Sequence, residues 1–369
     1  MGAQGRDPAG IAAASWRLYE ALDEARRAQG RMLDALGFGP AQTPSRVVLR
    51  APGVALKAYC EPSRPGPALL LVPAPIKRAY IWDLAPGASA VEQSLRHGAR
   101  PYVAHWEEPS ESFGVADYGE RLLLACADAI RAETGERRIF LVAHSLGGLF
   151  AALFAALYPE RVAGLVLLAS PLHFDFSPQA GALGPVMAAL ARSGLLDAAP
   201  GNVPGSFLSA ASFLASPATF GAERLADWLR SWPDPRALRN HLRVERWTLD
   251  EQPIARRLAR ELVAQLYGAD AFVRGTLELG HGKAAARDVV APLLVVADRE
   301  CPIVPPPAVL PFTAIAGAAD KTLLWYEGDT GVALRHLGPL IGASALRELW
   351  PQILSWVQAH RGGDAPKAG

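Results

Sequence analysis

The chain has 369 residues, half of them hydrophobic, which is room for one large α/β domain or two smaller ones and argues against global disorder. Its 37 basic and 36 acidic residues leave a formal charge of +1, so the charge balance gives no reason to expect a nucleic-acid partner. Cys60, Cys126 and Cys301 lie far apart, which argues against a disulfide framework or a zinc site and fits a reducing compartment. The opening MGAQGRDPAG lacks the layout of a signal peptide, and no apolar run reaches the length of a membrane span. The expectation is a cytoplasmic protein with no transmembrane segment.

In chain order, Ile11 to Leu36 carries a helical pattern that Gly37, Gly39 and Pro40 end, an amphipathic helix and linker (1–44) expected to pack on its own domain. Arg46 to Leu49 and Val54 to Tyr59 read as strands around Pro52-Gly53, and Leu69 to Val72 is a fully apolar strand. Ala88 to His97 is helical, Pro101 to Ala104 a strand, and Tyr118 to Ala132 a long helix. Strands alternating with helices at this spacing predict a mostly parallel, doubly wound sheet.

Phe140 to Pro171 organises the rest. A short apolar strand from Ile139 leads into Ala143-His144-Ser145-Leu146-Gly147-Gly148, a small-residue helix to Tyr158 follows, and Val162 to Leu168 is the next buried strand. Strand, glycine-flanked serine, helix, strand is the layout of a nucleophile elbow, with Ala143 in place of the usual first glycine. Ser145 is the expected nucleophile, and the Leu146 N–H is the first oxyanion donor. The second donor belongs to the loop after Leu69–Val72; Pro73 and Pro75 cannot donate, which leaves Ala74 or Ile76.

After Pro171 the composition turns rich in Gly, Pro, Trp and Ala, and residues 173–250 read as a helical cap inserted between core segments 45–172 and 251–361. Trp228, Trp232 and Trp247 either line an acyl tunnel or pack within the cap. Ile254 to Tyr267 is helical, Leu293 to Ala297 and Thr322 to Tyr326 are strands, Ala345 to His360 is the closing helix, and 362–369 is a frayed tail. A serine nucleophile needs a histidine base oriented by an acid, expected after the last strand and a late strand respectively. Where Gly-His is expected, the chain reads Gly328-Asp329.

The segments LLLVPAPIKRAYIWDL, YVAHWEEP, VAHSLGGLF, GNVPGSFL, LRVERWTLD, VVADRECPIVPP and DKTLLWYEGDTGV resemble the catalytic subunit of class III polyhydroxyalkanoate synthases, from about residue 45 to residue 357. The resemblance implies an α/β-hydrolase fold and a hydroxyacyl ester or thioester ligand, with acyl-CoA entering as substrate and no cofactor or metal. It also implies a possible synthase subunit or polymer granule as partner. That family uses cysteine, aspartate and histidine. Matched to its motifs, the three positions here are Ser145, Cys301 and Asp329, so the triad is degenerate. Serine suits ester hydrolysis or acyl transfer; cysteine for aspartate removes the charge that stabilises an imidazolium; aspartate for histidine removes the base.

His336, seven residues beyond Asp329, could replace that base only if its loop folds back, and Asp329 could act through a water. His144 is expected to point away from Ser145, while His105, His173 and His281 fall on loops and are expected to be exposed or satisfied. Cys301 as a thiol nucleophile lacks an elbow. Two functional readings follow: turnover through Ser145 with an unusual base, or an inactive homologue that binds an acyl group, a partner or a granule.

Overall fold

The computed structural model describes residues 8–362; residues 1–7 and 363–369, nearly all of the expected tail, lie outside the described residues. The strands are β1 (Arg46–Ala51), β2 (Val54–Ala58), β3 (Ala68–Val72), β4 (Arg100–Trp106), β5 (Ile139–His144), β6 (Val162–Leu168), β7 (Leu293–Asp298) and β8 (Lys321–Tyr326). They form one sheet in the order β1-β2-β4-β3-β5-β6-β7-β8, antiparallel at β1/β2 and β2/β4 and parallel elsewhere.

The inner strands read as continuous apolar runs because both faces of the sheet are covered. Alternate side chains go to opposite faces. Leu70, Val72, Leu141, Ala143, Leu165, Leu167, Leu293 and Val295 enter one core. Leu69, Leu71, Phe140, Val142, Val166, Leu168, Leu294 and Val296 enter the other. The first core includes α3 (Leu122–Thr134) and α4 (Leu146–Leu157); the second includes α2 (Ala90–Arg96) and the C-terminal helix Trp350–Ala359.

The cap holds α5 (Gly184–Ser193), α6 (Gly205–Ala215), α7 (Glu223–Ser231) and α8 (Pro235–Thr248). The N-terminal helix α1 (Pro8–Leu33) packs on the cap rather than on the sheet: Trp16 donates Nε1–H to Asn202 O at 3.0 Å, and Asp23 accepts from the Gly205 and Ser206 N–H groups. The cap also extends past residue 250. Ile254, Ala259 and Val263 share a cluster with Trp16, Leu196, Ala199 and Val203, while Ala255, Leu258 and Leu262 enter the main core. The helix α9 (Arg256–Glu261) and the wide turn after it therefore bridge cap and core. The short hairpin Leu277–Leu279 with Gly282–Ala284 carried no sequence signal strong enough to predict it.

The segments most particular to the resemblance act as clamps. Asn202 donates from Nδ2 to Pro109 O and accepts from the Arg256 N–H. Arg246 binds Asp34 through Nε at 2.6 Å and Asp250 at 2.9 Å, and Trp247 donates to Arg78 O. Trp247 is thus a packed cap residue, whereas Trp228 and Trp232 meet edge to face and Trp232 is exposed.

Candidate active site

Ser145 sits immediately after β5, at φ 56° and ψ −134°, a conformation costly for any residue with a side chain. Its N–H donates to Leu168 O, its carbonyl accepts from Gly148, and α4 begins at the next residue. Close packing makes the turn possible. A Cβ on Gly147 would collide with the Val72 carbonyl oxygen and with Pro73, and one on Gly148 would collide with Ser170. The serine is half-buried, and among the described residues no group hydrogen-bonds to its hydroxyl.

The oxyanion side is built around the same contact. The Val72–Pro73 backbone abuts Gly147, and Trp106 fixes the loop by donating Nε1–H to Pro73 O at 2.7 Å. Ala74 follows directly. The Ile76 side chain packs against the cluster formed by α1 and the cap.

The loop after β8 does not follow the expected course. Asp329 lies where the sequence placed the base, but its carboxylate accepts from the N–H groups of Ser344 (2.8 Å) and Ala345 (3.3 Å), the Ser344 hydroxyl (2.6 Å) and the Tyr326 hydroxyl (3.0 Å). It caps the start of the closing helical segment and is fully engaged in doing so. The chain then reverses through Gly331 (φ 82°) and Ala333 (φ 56°), both left-handed. The buried Asp227 of α7 holds this reversal, accepting from the N–H groups of Gly331 (2.9 Å) and Ala333 (2.8 Å) and from His241 Nδ1 (2.7 Å).

The reversal delivers His336 to the end of β7. Its Nδ1 lies 3.7 Å from Cys301 Sγ, its carbonyl oxygen is 2.9 Å from His144 Nε2, and its ring centroid is 4.6 Å from that of His144. Histidine facing the acid position through Nδ1 is the arrangement of a triad, leaving Nε2 for the nucleophile. No hydrogen bond joins His336 to Ser145; such contacts are often long before substrate binds.

Burial drives His336 well below the usual imidazole range, with His144 adding to the effect, and pulls His144 itself down to about 4. Both rings are neutral at pH 7. Burial pushes the Cys301 thiol up to about 11, so it too is uncharged. The Ile303 and Val304 N–H groups nevertheless point at its sulfur, a setting that suits an anion. The nearby carboxylates belong to another residue: Asp298 holds Arg335 Nε at 2.7 Å, and Glu300 pairs with the same guanidinium.

None of the other histidines singled out in the sequence hydrogen-bonds to the Ser145 hydroxyl. His144 is a packed neighbour held by the His336 carbonyl, as expected. His105 lies within β4 rather than on a loop, and burial lowers it to about 3. His173 pairs with Asp270 and His281 with Glu120.

The first core, the strand order and the serine turn meet in the family comparison. A model of the alpha/beta hydrolase fold matches residues 9–203. The chain belongs to the alpha/beta hydrolase family. A second model of this fold, described as serine aminopeptidase S33, matches residues 114–330. Among curated relatives, the chain is 25% identical over 352 residues to the poly(3-hydroxyalkanoate) polymerase subunit PhaC of Allochromatium vinosum, covering 92% of this chain and 96% of that one. It is 26% identical to the PhaC subunit of Haloferax mediterranei over 91% of this chain and 68% of the relative. The hydrolase is thus polyhydroxyalkanoate-synthase-like. Among solved structures, a Paleococcus ferrophilus monoacylglycerol lipase (TM-score 0.52, 17% identity, 83% of this chain and 99% of that one) shares the fold. So does a Rhodococcus esterase (TM-score 0.52, 14% identity, 85% and 98%). Among the described residues no helix is long and apolar enough to cross a membrane, and no cluster of three or more metal-binding side chains occurs.

Proposed function

We propose that this hydrolase-fold protein transfers or hydrolyses the acyl group of hydroxyacyl esters or thioesters, with Ser145 as nucleophile and His336 as base. The return of His336 to the acid position, Nδ1 toward Cys301, carries this reading. The strained backbone of Ser145 supports it, since such a conformation costs about 1–3 kcal/mol and serves to present a side chain.

In this scheme, Ser145 Oγ attacks the acyl carbonyl carbon while its proton passes to His336 Nε2. The Leu146 N–H and, from its place beside the elbow, the Ala74 N–H hold the oxyanion. Collapse breaks the bond to the leaving thiolate or alkoxide, which takes the proton from His336 and leaves an acyl-serine. Water then gives hydrolysis, whereas the hydroxyl of a second hydroxyacyl group gives transfer. The names of the PhaC relatives, each a poly(3-hydroxyalkanoate) polymerase subunit, support a hydroxyacyl donor and a further synthase subunit as partner.

One observation favours a slower or silent site. The neutral, buried Cys301 cannot stabilise an imidazolium as an aspartate does, and loss of that charge costs a triad about 10⁴ in turnover. The inactive acyl-binding or partner subunit is that second reading. Labelling of the purified protein with a fluorophosphonate separates the two. Reaction that disappears in Ser145→Ala and slows by about a hundredfold or more in His336→Gln supports the proposal. Equal labelling of the native and His336→Gln proteins would remove His336 as the base, and no labelling at all would leave the binding role.

A further inference from the structure

The helix α1 repeats every seven residues on two opposite faces. Trp16, Asp23 and Gly30 are buried against the cap, and Gly30 lets the Arg246 guanidinium lie close. About 200° away around the helix, Leu18, Ala25 and Met32 recur at the same interval, flanked by Ala14, Ala21 and Ala28 on one side and by Leu22 and Gln29 on the other. All eight are exposed, Leu18 at 61%, Leu22 at 41% and Met32 at 69%. Isolated exposed leucines need no explanation, but apolar residues recurring at alternating steps of three and four along three heptads form a coiled-coil seam. The alanine row lets a second helix approach closely.

We propose that this face of α1 docks an α-helix of another protein, whose flank carries acidic, basic and acidic side chains opposite Arg17, Glu24 and Arg31. Those three residues are exposed on the edge of the seam, and none forms an ion pair among the described residues. Their order selects the occupant. In a fully overlapped antiparallel pair of two copies of this chain, Glu24 meets its own copy and Arg17 meets Arg31. A parallel pair sets the three charges against Leu22, Gln29 and Leu36, with no complement. A lipid surface fits less well, because the flank mixes signs and alanines insert little apolar bulk.

The test uses the full-length protein and two synthetic three-heptad helical peptides with leucine seams, one flanked Glu-Lys-Glu and the other Lys-Glu-Lys. Fluorescence anisotropy at low salt should show the first binding at least about tenfold tighter than the second, with the preference fading as salt rises. Leu18→Asp and Met32→Asp should each weaken binding at least about tenfold while leaving the melting temperature and the phosphonate reactivity unchanged. No binding, or equal binding of both peptides, would overturn the proposal. So would a dimer in size-exclusion chromatography that Leu18→Asp dissolves, since the face would then pair with its own copy. Sedimentation with phosphatidylglycerol vesicles that the same variants abolish would assign the face to lipid instead.

Discussion

Replacing Cys301 with aspartate should raise serine reactivity more than any other single substitution. The sulfur occupies the acid position, 3.7 Å from His336 Nδ1, and the Ile303 and Val304 N–H groups already point at it. A carboxylate there accepts from both and from His336, which offsets much of the cost of burying it at a site 1% exposed. The missing acid accounts for about 10⁴ in turnover, or about 5.4 kcal/mol at 1.36 kcal/mol per tenfold. Part of that is spent desolvating the new charge, so a gain between about 10² and 10⁴ is expected for hydrolysis of p-nitrophenyl butyrate and for phosphonate labelling. The carboxylate also moves His336 upward, so the rate should acquire an ascending limb near the ordinary imidazole range that the native protein lacks. A folded Cys301→Asp protein with neither the gain nor the new limb would refute the assignment of His336. A gain that survives Ser145→Ala would refute the assignment of the nucleophile.

Acid should destabilise the fold through buried neutral histidines. An unfolded histidine takes a proton below about 6.5, whereas native His144 waits until about 4, so its contribution is complete above 6.5 and is lost as pH falls through that window. At pH 5 the loss from His144 is about 2 kcal/mol, with His336 acting in the same direction, and urea melts at pH 7 and pH 5 measure it. Asp329→Ala removes a helix cap and should cost about 2 kcal/mol in the same melts, and Asp329→His should fail to raise labelling because that position faces the closing helix. Asp227→Ala orphans two backbone N–H groups and a buried histidine. It should cost about 3–5 kcal/mol and slow labelling, which a loop held by other contacts would leave untouched.

The strands β3, β5, β6 and β7 are legible because they are covered on both faces, so the sequence shows nearly continuous apolar runs. Ser145 is legible because its neighbours must be small for the turn to close. The position of His336 is not legible, because its causes are tertiary. Two left-handed residues, one of them an alanine, turn the loop only with Asp227 of the cap and Asp298 at the end of β7 to hold it. Spacing from Asp329 carries none of that. The double role of α9 is hidden for a related reason: it is apolar on two sides, and a one-dimensional pattern does not say that each side belongs to a different layer.

The contacts of Asp227 divide the chemistry between two bodies. Ser145 and Ala74 are fixed to the sheet, but the turn ahead of His336 hangs from α7, with Asn240 of α8 donating to the Gly331 carbonyl as a second tether. A cap that lifts to admit a bulky acyl chain would strain that turn, while the Arg335–Asp298 pair and the bond from His144 to the His336 carbonyl hold His336 at the sheet. His336 is then the one proposed catalytic group whose position answers to the cap as well as to the sheet, and loosening either tether at Gly331 would blur its aim at Ser145.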